Sequence, residues 1–276
     1  MNTKKWIMGI ALCTGVFLAS CTSDEGLSNP AETGQGQLTL SLVSGTSFKE
    51  ETRALDETSF SNTDNYNVVV TDKDGYVKMD CKGSEIVSKM PITLPVGSCT
   101  VKAYYGTDSP ASRNSFYVLG EWNGNIKGDQ KESITLTCEP TCGRVKVDFA
   151  DDMATYYSDY NVTFSGTKAL GNGTFAWNKN DKDPWYVALD KGGEYINFTI
   201  NSTTKDEYVN SANQEQTYAY TGKFFLERNK AYKMCVNVEY HPSQGGSTSG
   251  EVGLTITIDV STNDKNETIE VPVTWI

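Results

Sequence analysis

The sequence is poor in histidine and has no cluster of lysine or arginine. Its 276 residues include a single histidine, His241, and 35 acidic residues against 24 basic ones, for a formal net charge of −11. A hydrolytic triad needs an imidazole beside a serine or cysteine, and a zinc site needs several His or Cys ligands at short spacing, so both are disfavoured. A negative chain without a basic patch also repels phosphate backbones, which argues against a nucleic-acid partner.

Other signatures of catalysis are missing as well. The sequence contains no G-x-S-x-G, H-E-x-x-H or phosphate-binding glycine loop. A glycosidase-type pair of carboxylates stays open, because acidic residues are abundant, but nothing distinguishes one pair from the others. We therefore predict a protein that is not an enzyme and that binds no metal and no cofactor other than a covalent lipid.

The sequence has no hydrophobic run long enough to span a bilayer, but it has a shorter one near its start. Two lysines precede a mostly apolar run over residues 6–20, which falls short of the roughly 20 residues that a transmembrane helix needs. The run ends in Leu-Ala-Ser followed by Cys21, the pattern of a lipoprotein signal peptide. We predict a signal peptide over 1–20, acyl chains such as palmitate on Cys21, and a lipidated tether over 21–35 that attaches the protein to the outer membrane.

Most of the remaining chain alternates apolar and polar residues with a period of two. Leu38, Leu40 and Leu42, for example, alternate with polar or small neighbours, which is typical of a strand with one buried face. Similar runs rich in β-branched and aromatic residues are separated by turn residues. They cover 66–71, 99–105, 133–138, 145–149, 160–165, 195–200, 232–240, 253–260 and 268–274. Only 151–158 looks helical, so the sequence predicts an all-β fold.

The order of local patterns occurs twice along the chain. The first copy contains Gly36-Gln37-Leu38-Thr39-Leu40, Tyr66-Asn67-Val68, Leu94-Pro95-Val96-Gly97 and Cys138. The second contains Gly143-Arg144-Val145-Lys146-Val147, Tyr160-Asn161-Val162, Leu189-Asp190-Lys191-Gly192 and Cys235. Each copy offers about seven short strands, the number expected of a β-sandwich. We predict two tandem β-sandwich domains, over 36–139 and 140–240.

The last segment, 241–276, combines a linker with two strands. Residues 243–250 are rich in glycine and serine and have the composition of a flexible linker. The two strands that follow either complete the second sandwich as its last hairpin or are donated to a partner molecule, since an exposed sheet edge accepts a strand readily.

Five cysteines remain once the signal segment and Cys21 are set aside. They are Cys81, Cys99, Cys138, Cys142 and Cys235. An exported protein permits disulfides, and Cys138 with Cys142 or Cys81 with Cys99 are candidate pairs, but spacing alone does not fix the connectivity. The alternative is that they are small buried hydrophobic residues.

Three tryptophans are candidate ligand-binding residues. Trp122, Trp177 and Trp185 lie in or beside polar stretches, where exposed rings could stack on sugars. The amphipathic ring of tryptophan is equally suited to a half-buried place at the end of a strand, and we prefer that interpretation.

Acidic residues in turns could also bind a metal ion. Asp72-Lys73-Asp74-Gly75 resembles the start of a calcium loop but lacks the closing glutamate, and Asp-Gly between apolar residues is a hairpin signal, so we predict a turn there. Asp181, Asp183 and Asp190 are predicted to be solvated loop charges.

Several short motifs resemble those of a known family. They are the signal motif at Cys21, the acidic pair Asp24-Glu25, Thr52-Arg53-Ala54 and Leu94-Pro95-Val96-Gly97. With them the chain resembles a Bacteroidetes surface lipoprotein family known only as a domain of unknown function and similar to fimbrillin-like and fimbrial anchor proteins. The resemblance implies two transthyretin-like (Ig-like) β-sandwiches on the cell surface.

The resemblance also implies a function. It implies a role in cell adhesion, or in the assembly or anchoring of a pilus (fimbria), with pilus subunits or a host or bacterial surface protein as partners. It further implies that Arg53 could be a site of proteolytic maturation, although an ordinary loop charge is the preferred interpretation. The alternative function is a glycan-binding surface lipoprotein of a polysaccharide uptake system, with the three tryptophans as its stacking platform.

Overall fold

The computed structural model describes residues 34–48, 55–205, 217–241, 251–261, 266–270 and 274–275. The predicted all-β class is confirmed, because almost every element in these ranges is a strand. The helical elements there are short: α1 (Ile86–Lys89), α2 (Met153–Tyr156), and 3-10 turns at Glu57–Ser61, Thr63–Asn65 and Gly83–Glu85. Helix α2 falls within the segment predicted to be helical. None of the helices in the described ranges is long and apolar enough to cross a membrane.

The first eight strands make up what we call the first unit. They are β1 (Gln35–Ser44), β2 (Asn67–Thr71), β3 (Val77–Lys82), β4 (Ile92–Pro95), β5 (Gly97–Gly106), β6 (Ala111–Ser112), β7 (Tyr117–Ile126) and β8 (Lys131–Pro140). Seven of them are linked in the order β3-β2-β5-β7-β8-β1-β4. The link from β7 to β8 consists of two residue pairs, so that β3-β2-β5-β7 and β8-β1-β4 diverge on either side of it.

The remaining strands make up the second unit. They are β9 (Cys142–Phe149), β10 (Tyr157–Ser165), β11 (Thr174–Asn178), β12 (Trp185–Ala188), β13 (Glu194–Thr204), β14 (Thr217–Leu226), β15 (Ala231–His241), β16 (Glu251–Ser261), β17 (Asn266–Glu270) and β18 (Thr274–Trp275). One sheet has the order β11-β10-β13-β14-β18. The other has the order β17-β16-β15-β9-β12-β6, and its last strand comes from the first unit.

The same strand pairing occurs in both units. In the first unit, the opening strand β1 pairs in parallel with β8 and antiparallel with β4. In the second unit, β9 pairs in parallel with β15 and antiparallel with β12. The antiparallel series β3-β2-β5-β7 likewise has its counterpart in β11-β10-β13-β14. The L-x-x-G motifs that begin at Leu94 and Leu189 occupy equivalent places, at the end of β4 and directly after β12.

The buried hydrophobic residues form two clusters that follow the two units. The first cluster is built from β1 to β8 and the second from β9 to β16. Burying apolar side chains contributes about 25 cal/mol per Å2 of apolar area, so each cluster is the main stabilising element of its unit. Cys142, Tyr186 and Ala231 are exceptions, because they belong to the second unit by sequence and are buried in the first cluster.

The C-terminal strands extend the second unit. Strand β16 pairs with β15 along its whole length, from Glu251 to Ser261. Its inward side chains Leu254, Ile256, Ile258 and Val260 are at most 9% exposed and belong to the second cluster. In this structure, β16 is therefore paired and packed within the second unit.

The cysteines of the described ranges are free thiols. The candidate disulfides Cys138–Cys142 and Cys81–Cys99 are therefore not formed, and all four of these residues are buried. Burial raises the pKa of Cys99 to about 11 and that of Cys138 to about 12. These thiols stay protonated, and they act as small hydrophobic residues of the core.

Candidate functional site

Trp177 does not have the exposed position that sugar stacking would require. It lies on β11 with its side chain pointing inward, is 1% exposed, and belongs to the core of the second unit. A ring buried on all sides offers no free face to a ligand. The alternation of the strand turns the Trp177 ring toward the opposite sheet, so the stacking alternative has no exposed ring face at this position.

Trp185 is half-buried, and an arginine from the other unit covers a face of its ring. The guanidinium of Arg113, which follows β6, lies 4.7 Å from the centre of the Trp185 ring and 5.1 Å from that of Trp177. Arg113 also donates a hydrogen bond of 2.6 Å to Asp181. The two tryptophans thus serve as a cation–π clamp between the units, a type of contact that stabilises by roughly 0.5 to 2 kcal/mol.

Asp181 is part of this clamp and not a solvated loop charge as predicted. Burial acts to raise the pKa of its carboxyl group, but the hydrogen bonds from Arg113 and from the backbone N–H of Asn178 outweigh that effect and leave the pKa below its ordinary value. The carboxylate is 23% exposed. Asp190, in contrast, is exposed and forms an ion pair with Lys168, whose side chain is also exposed.

Trp122 lies on the inward side of β7 at the edge of the first core. Its ring is half-buried and covers Gly124, where an added Cβ would come within 2.1 Å of a ring carbon. This arrangement fits the half-buried place at a strand that we preferred from the sequence.

The Asp72 turn is a hairpin, as predicted. The turn connects β2 and β3, and the Asp72 carboxylate accepts hydrogen bonds from the backbone N–H groups of Asp74 and Tyr76. Gly75 supplies a positive φ of 82°. Lys78 completes the site with an ion pair of 2.9 Å to Asp72. Within the described ranges, no group of three or more His, Cys, Asp or Glu side chains is placed to hold a metal ion.

A buried ion pair connects the two units. Glu57, from a 3-10 turn of the first unit, is completely buried and accepts two hydrogen bonds, of 3.0 and 3.1 Å, from Arg144 on β9. The hydroxyl of Tyr186 on β12 donates to the same carboxylate. Burial and this hydrogen bond raise the pKa of Tyr186 far above its ordinary value, so the phenol remains a proton donor.

Aromatic packing and backbone pairing reinforce this junction. Phe116 of the first unit stacks on Tyr186 with ring centres 4.8 Å apart, and Phe48 packs against both rings. Strand β6 of the first unit pairs with β12 of the second. The side chain of Asn229 adds hydrogen bonds to the backbone of residues 45 and 47. The units are therefore held together by several contacts of different kinds.

The outward face of the β11-β10-β13-β14 sheet is almost free of charge. We call it the neutral face. Its side chains are those that alternate with the core residues: Asn161, Thr163, Ser165, Thr174, Ala176, Asn178, Tyr195, Asn197, Thr199, Asn201, Thr203, Thr217, Ala219, Thr221, Lys223 and Phe225. Its charged residues are Lys223 and, at the end of the face opposite Thr203, Asp159, which forms an ion pair with Lys179. In one row, Ala176, Thr163, Thr199 and Thr221 are neighbours on successive strands.

The equivalent face of the first unit carries charges. Aligning Tyr66-Asn67-Val68 with Tyr160-Asn161-Val162 matches the rows of the two sheets. The row of the first unit that corresponds to the threonine row consists of Asp80, Val69, Lys102 and Glu121. Lys102 and Glu121 form an exposed ion pair with 3.8 Å between the charged atoms. The same position in the pairing pattern therefore holds charged residues in one unit and threonine in the other.

Arg113, Glu57, Arg144 and the neutral face were not predicted from the sequence. The first three form contacts between residues far apart in the chain, for which the local pattern has no signal. The neutral face did have a signal, because the outward positions of the predicted strands 160–165 and 195–200 carry Asn, Thr and Ser in a chain in which 21% of the residues are charged.

A cleft of about 440 Å3 opens where β7 and β8 diverge. Glu121, Glu139 and Glu227 line it, together with Lys191 and Arg228. Arg228 donates a hydrogen bond to the backbone of Leu189, and Glu227 is paired with Lys230. Of the charged groups in this polar cleft, Glu121, Glu227 and Arg228 already have partners from the protein.

The family model described as "Domain of unknown function (DUF4493)" matches residues 34–273, a range that contains both units. The chain belongs to this family. The predicted membership in a family known only as a domain of unknown function is confirmed. A search of the curated proteins found no match.

Solved structures with a similar course of the chain include two fimbrial proteins. One is a fimbrial assembly protein from Parabacteroides distasonis, with 12% identity, a TM-score of 0.39, and coverage of 86% of this chain and 98% of that chain. The other is the fimbrial anchor protein Mfa2 from Porphyromonas gingivalis, with 12% identity, a TM-score of 0.36, and coverage of 84% and 98%. Because the identities and TM-scores are this low, we draw no functional argument from these similarities.

Two of the predicted sites lie outside the described residues. They are Cys21, the predicted site of lipid attachment, and Arg53, considered for proteolytic maturation. Both stay predictions from the sequence.

Proposed function

We propose that the protein is a non-enzymatic lipoprotein of the outer membrane, exposed on the cell surface, that serves adhesion or the assembly or anchoring of a pilus. In this proposal Cys21 carries the lipid, and residues 21–35 act as the tether. The two units are two tandem transthyretin-like β-sandwiches, and the partners are pilus subunits or a surface protein of the host or of another bacterium.

The observation that carries the proposal is the junction between the units. Units that stay docked suit a protein that presents a partner at a fixed distance from a membrane. The buried Glu57–Arg144 pair and the Arg113 clamp resist bending, because separating the units would break these contacts. It would also expose the buried rings of Phe48, Phe116 and Tyr186 to water.

The retained strand β16 favours an anchoring or adhesive role over that of a subunit that donates this strand. Donation would break the pairing of β15 with β16 and expose four core side chains, among them Ile256 and Ile258. At about 25 cal/mol per Å2 of apolar area, that exposure opposes donation. An anchor or an adhesin works without releasing this strand.

Surface display and adhesion are tested in the native bacterium. The full chain is compared with a Cys21→Ser variant and with cells that lack the protein. We expect the native chain in the outer-membrane fraction and cleaved by protease added to intact cells, and the variant released from the membrane. Cells lacking the protein should attach less or carry fewer anchored pili. A native chain that is protected in the periplasm, with attachment and pili unchanged in its absence, would contradict the proposal.

The alternative function, glycan binding in an uptake system, had its sequence support in the three tryptophans. Trp177 is buried, Trp185 is covered by Arg113, and Trp122 packs on Gly124. The structure therefore offers no platform built from these rings. Any glycan site has to be sought on another surface.

A further inference from the structure

The neutral face is large and is supported by a packed core. Strands in a sheet lie about 4.8 Å apart and rise about 3.3 Å per residue, so the face spans about 14 Å across four strands and about 27 Å along β13. Its side chains stand on a sheet whose opposite side is packed with Phe164, Phe198 and Ile200, each at most 1% exposed. Such a surface suits an extended polymer better than a small molecule, which needs a concave site.

The side chains of the neutral face retain hydrogen-bonding capacity for a ligand. Asn201 donates to Asn161 over 3.2 Å, and the hydroxyl groups of Thr203 and Thr217 lie 3.4 Å apart. In the described part of the chain, the hydroxyl groups of Thr163, Thr199 and Thr221 make no hydrogen bond to another side chain. Hydroxyl and amide groups both donate and accept, which matches the hydroxyl groups of a sugar polymer.

An exposed aromatic pair lies at one end of the neutral face. Tyr195 and Phe225 face each other across β13 and β14 with ring centres 5.1 Å apart, and they are 57% and 40% exposed. Lys223 lies 5.1 Å from the centre of the Tyr195 ring. Exposed rings of this size form an apolar contact surface beside the polar rows, suitable for the apolar side of a sugar ring.

The middle rows of the neutral face contain no charged side chain. This is unusual for a surface that is in contact only with water. Flat, uncharged sheets rich in Asn and Thr tend to associate, and proteins commonly prevent this with charged side chains. The first unit follows that rule with Asp80, Lys102 and Glu121, whereas the second unit does not. A surface without charge suits a neutral ligand, because covering fixed charges with a neutral ligand costs desolvation free energy and forms no ion pair in return.

We infer that the neutral face binds a neutral polysaccharide. The net charge of −11 disfavours polyanionic glycans, and the face offers no cluster of cations to attract them. A second copy of the chain is a poorer fit, since interfaces between copies have apolar centres and the apolar groups here are an aromatic pair at one end and two alanines. The inference rests on the proposed surface location for access to the polymer, but purified protein tests the binding separately.

The test exchanges the charged row and the threonine row between the units. The double variant Thr199→Lys/Thr221→Glu introduces into the neutral face the ion pair that Lys102 and Glu121 form at the equivalent place. The control is the reciprocal variant Lys102→Thr/Glu121→Thr. Both variants keep the core untouched, and equal thermal unfolding midpoints would establish that they fold.

Binding is measured by affinity electrophoresis with soluble polysaccharides. The neutral probes are an α-glucan, a β-glucan, a xylan and a mannan, and polygalacturonate is the anionic one. We expect the native chain and the Lys102→Thr/Glu121→Thr control to bind at least one neutral polymer equally. Thr199→Lys/Thr221→Glu should weaken that binding at least tenfold, and Tyr195→Ala should weaken it as well.

Three outcomes would overturn the inference. One is that the native chain binds none of the neutral polymers or binds polygalacturonate equally well. Another is that Thr199→Lys/Thr221→Glu binds like the native chain. The third is a dimer, seen by sedimentation, that this variant abolishes, which would make a second copy the occupant. Loss of polymer binding with attachment of cells retained would contradict this inference alone, whereas binding by purified protein with no surface display would contradict the proposed function alone.

Discussion

The two units share a strand-pairing pattern but differ on the surface. The first unit covers its outer sheet with charged residues such as Lys102 and Glu121, and the second presents threonines at the equivalent places. Inward positions are apolar in both, since both must bury a core. The inward residues therefore determine the strand-pairing pattern, whereas the outward residues can differ between the two units.

The units also differ in how their last strands are flanked. Strand β8 has β1 on one side and a short link to β7 on the other, whereas β15 is flanked by β9 and by the long strand β16. The second unit is thereby completed by residues that have no counterpart in the first. Its core gains the four inward side chains of β16.

The largest expected effect comes from breaking the junction that joins the units. Glu57→Ala should lower the free energy of unfolding by about 3–5 kcal/mol, because it leaves the guanidinium of Arg144 without its buried carboxylate. Urea unfolding followed by circular dichroism measures the change. Lys168→Ala, which removes the exposed pair with Asp190, is the control and should change the stability by less than about 1 kcal/mol. Equal effects of the two variants would show that the junction does not hold the units together.

The second-largest loss in the free energy of unfolding is expected in β16, and it tests whether this strand belongs to the second unit. Ile258→Ala should cost about 2–5 kcal/mol, since it leaves a cavity at a completely buried position. Thr255→Ala on the exposed side of the same strand should change the stability by less than about 0.5 kcal/mol. A monomer that is unaffected by Ile258→Ala would indicate that the strand packs elsewhere.

A smaller effect is expected at the clamp. Arg113→Ala should cost about 1–2 kcal/mol at neutral pH, because the cation–π contacts and the pair with Asp181 are both lost. The folded-state pKa of Asp181 is depressed, so its contribution is fully present above the unfolded pKa of about 3.9 and is lost as the pH falls through the folded value. The difference in thermal midpoint between native chain and variant should therefore shrink in acid. A difference that grows in acid would exclude this assignment.

The smallest effect is expected from exchanging the outward rows. Both Lys102→Thr/Glu121→Thr and Thr199→Lys/Thr221→Glu should change the free energy of unfolding by less than about 1 kcal/mol, because exposed ion pairs contribute little. Thermal unfolding measures both. A large loss in either variant would mean that its row has a structural role, and the comparison of the two faces would then concern stability and not binding.

Much of the fold could be predicted from the sequence. Period-two alternation located long strands such as β1, β5 and β13, because each buries one face. Strand β7 was not predicted, since Gly120 and Gly124 interrupt its pattern. Gly124 leaves room for the ring of Trp122, which is a tertiary contact that no local pattern announces.

The candidate sites were harder to predict for a related reason. Trp177 lies beside the polar stretch 178–184 in the sequence, and only the pairing of β10 with β11 shows that its ring points to the core. Glu57 looks like an ordinary loop charge until the second unit brings Arg144 against it. The neutral face becomes visible only when the outward residues of four strands are read across the sheet.

Binding by the neutral face, and not by the tryptophan region, can be observed by NMR of protein labelled at threonine methyl groups. When a neutral polysaccharide that binds is added, we expect shifts for Thr163, Thr199 and Thr221. Thr71 and Thr100, on the outer face of the first unit, should be unchanged. Shifts confined to the first unit, or to the threonines of the cleft, Thr137 and Thr141, would contradict this expectation.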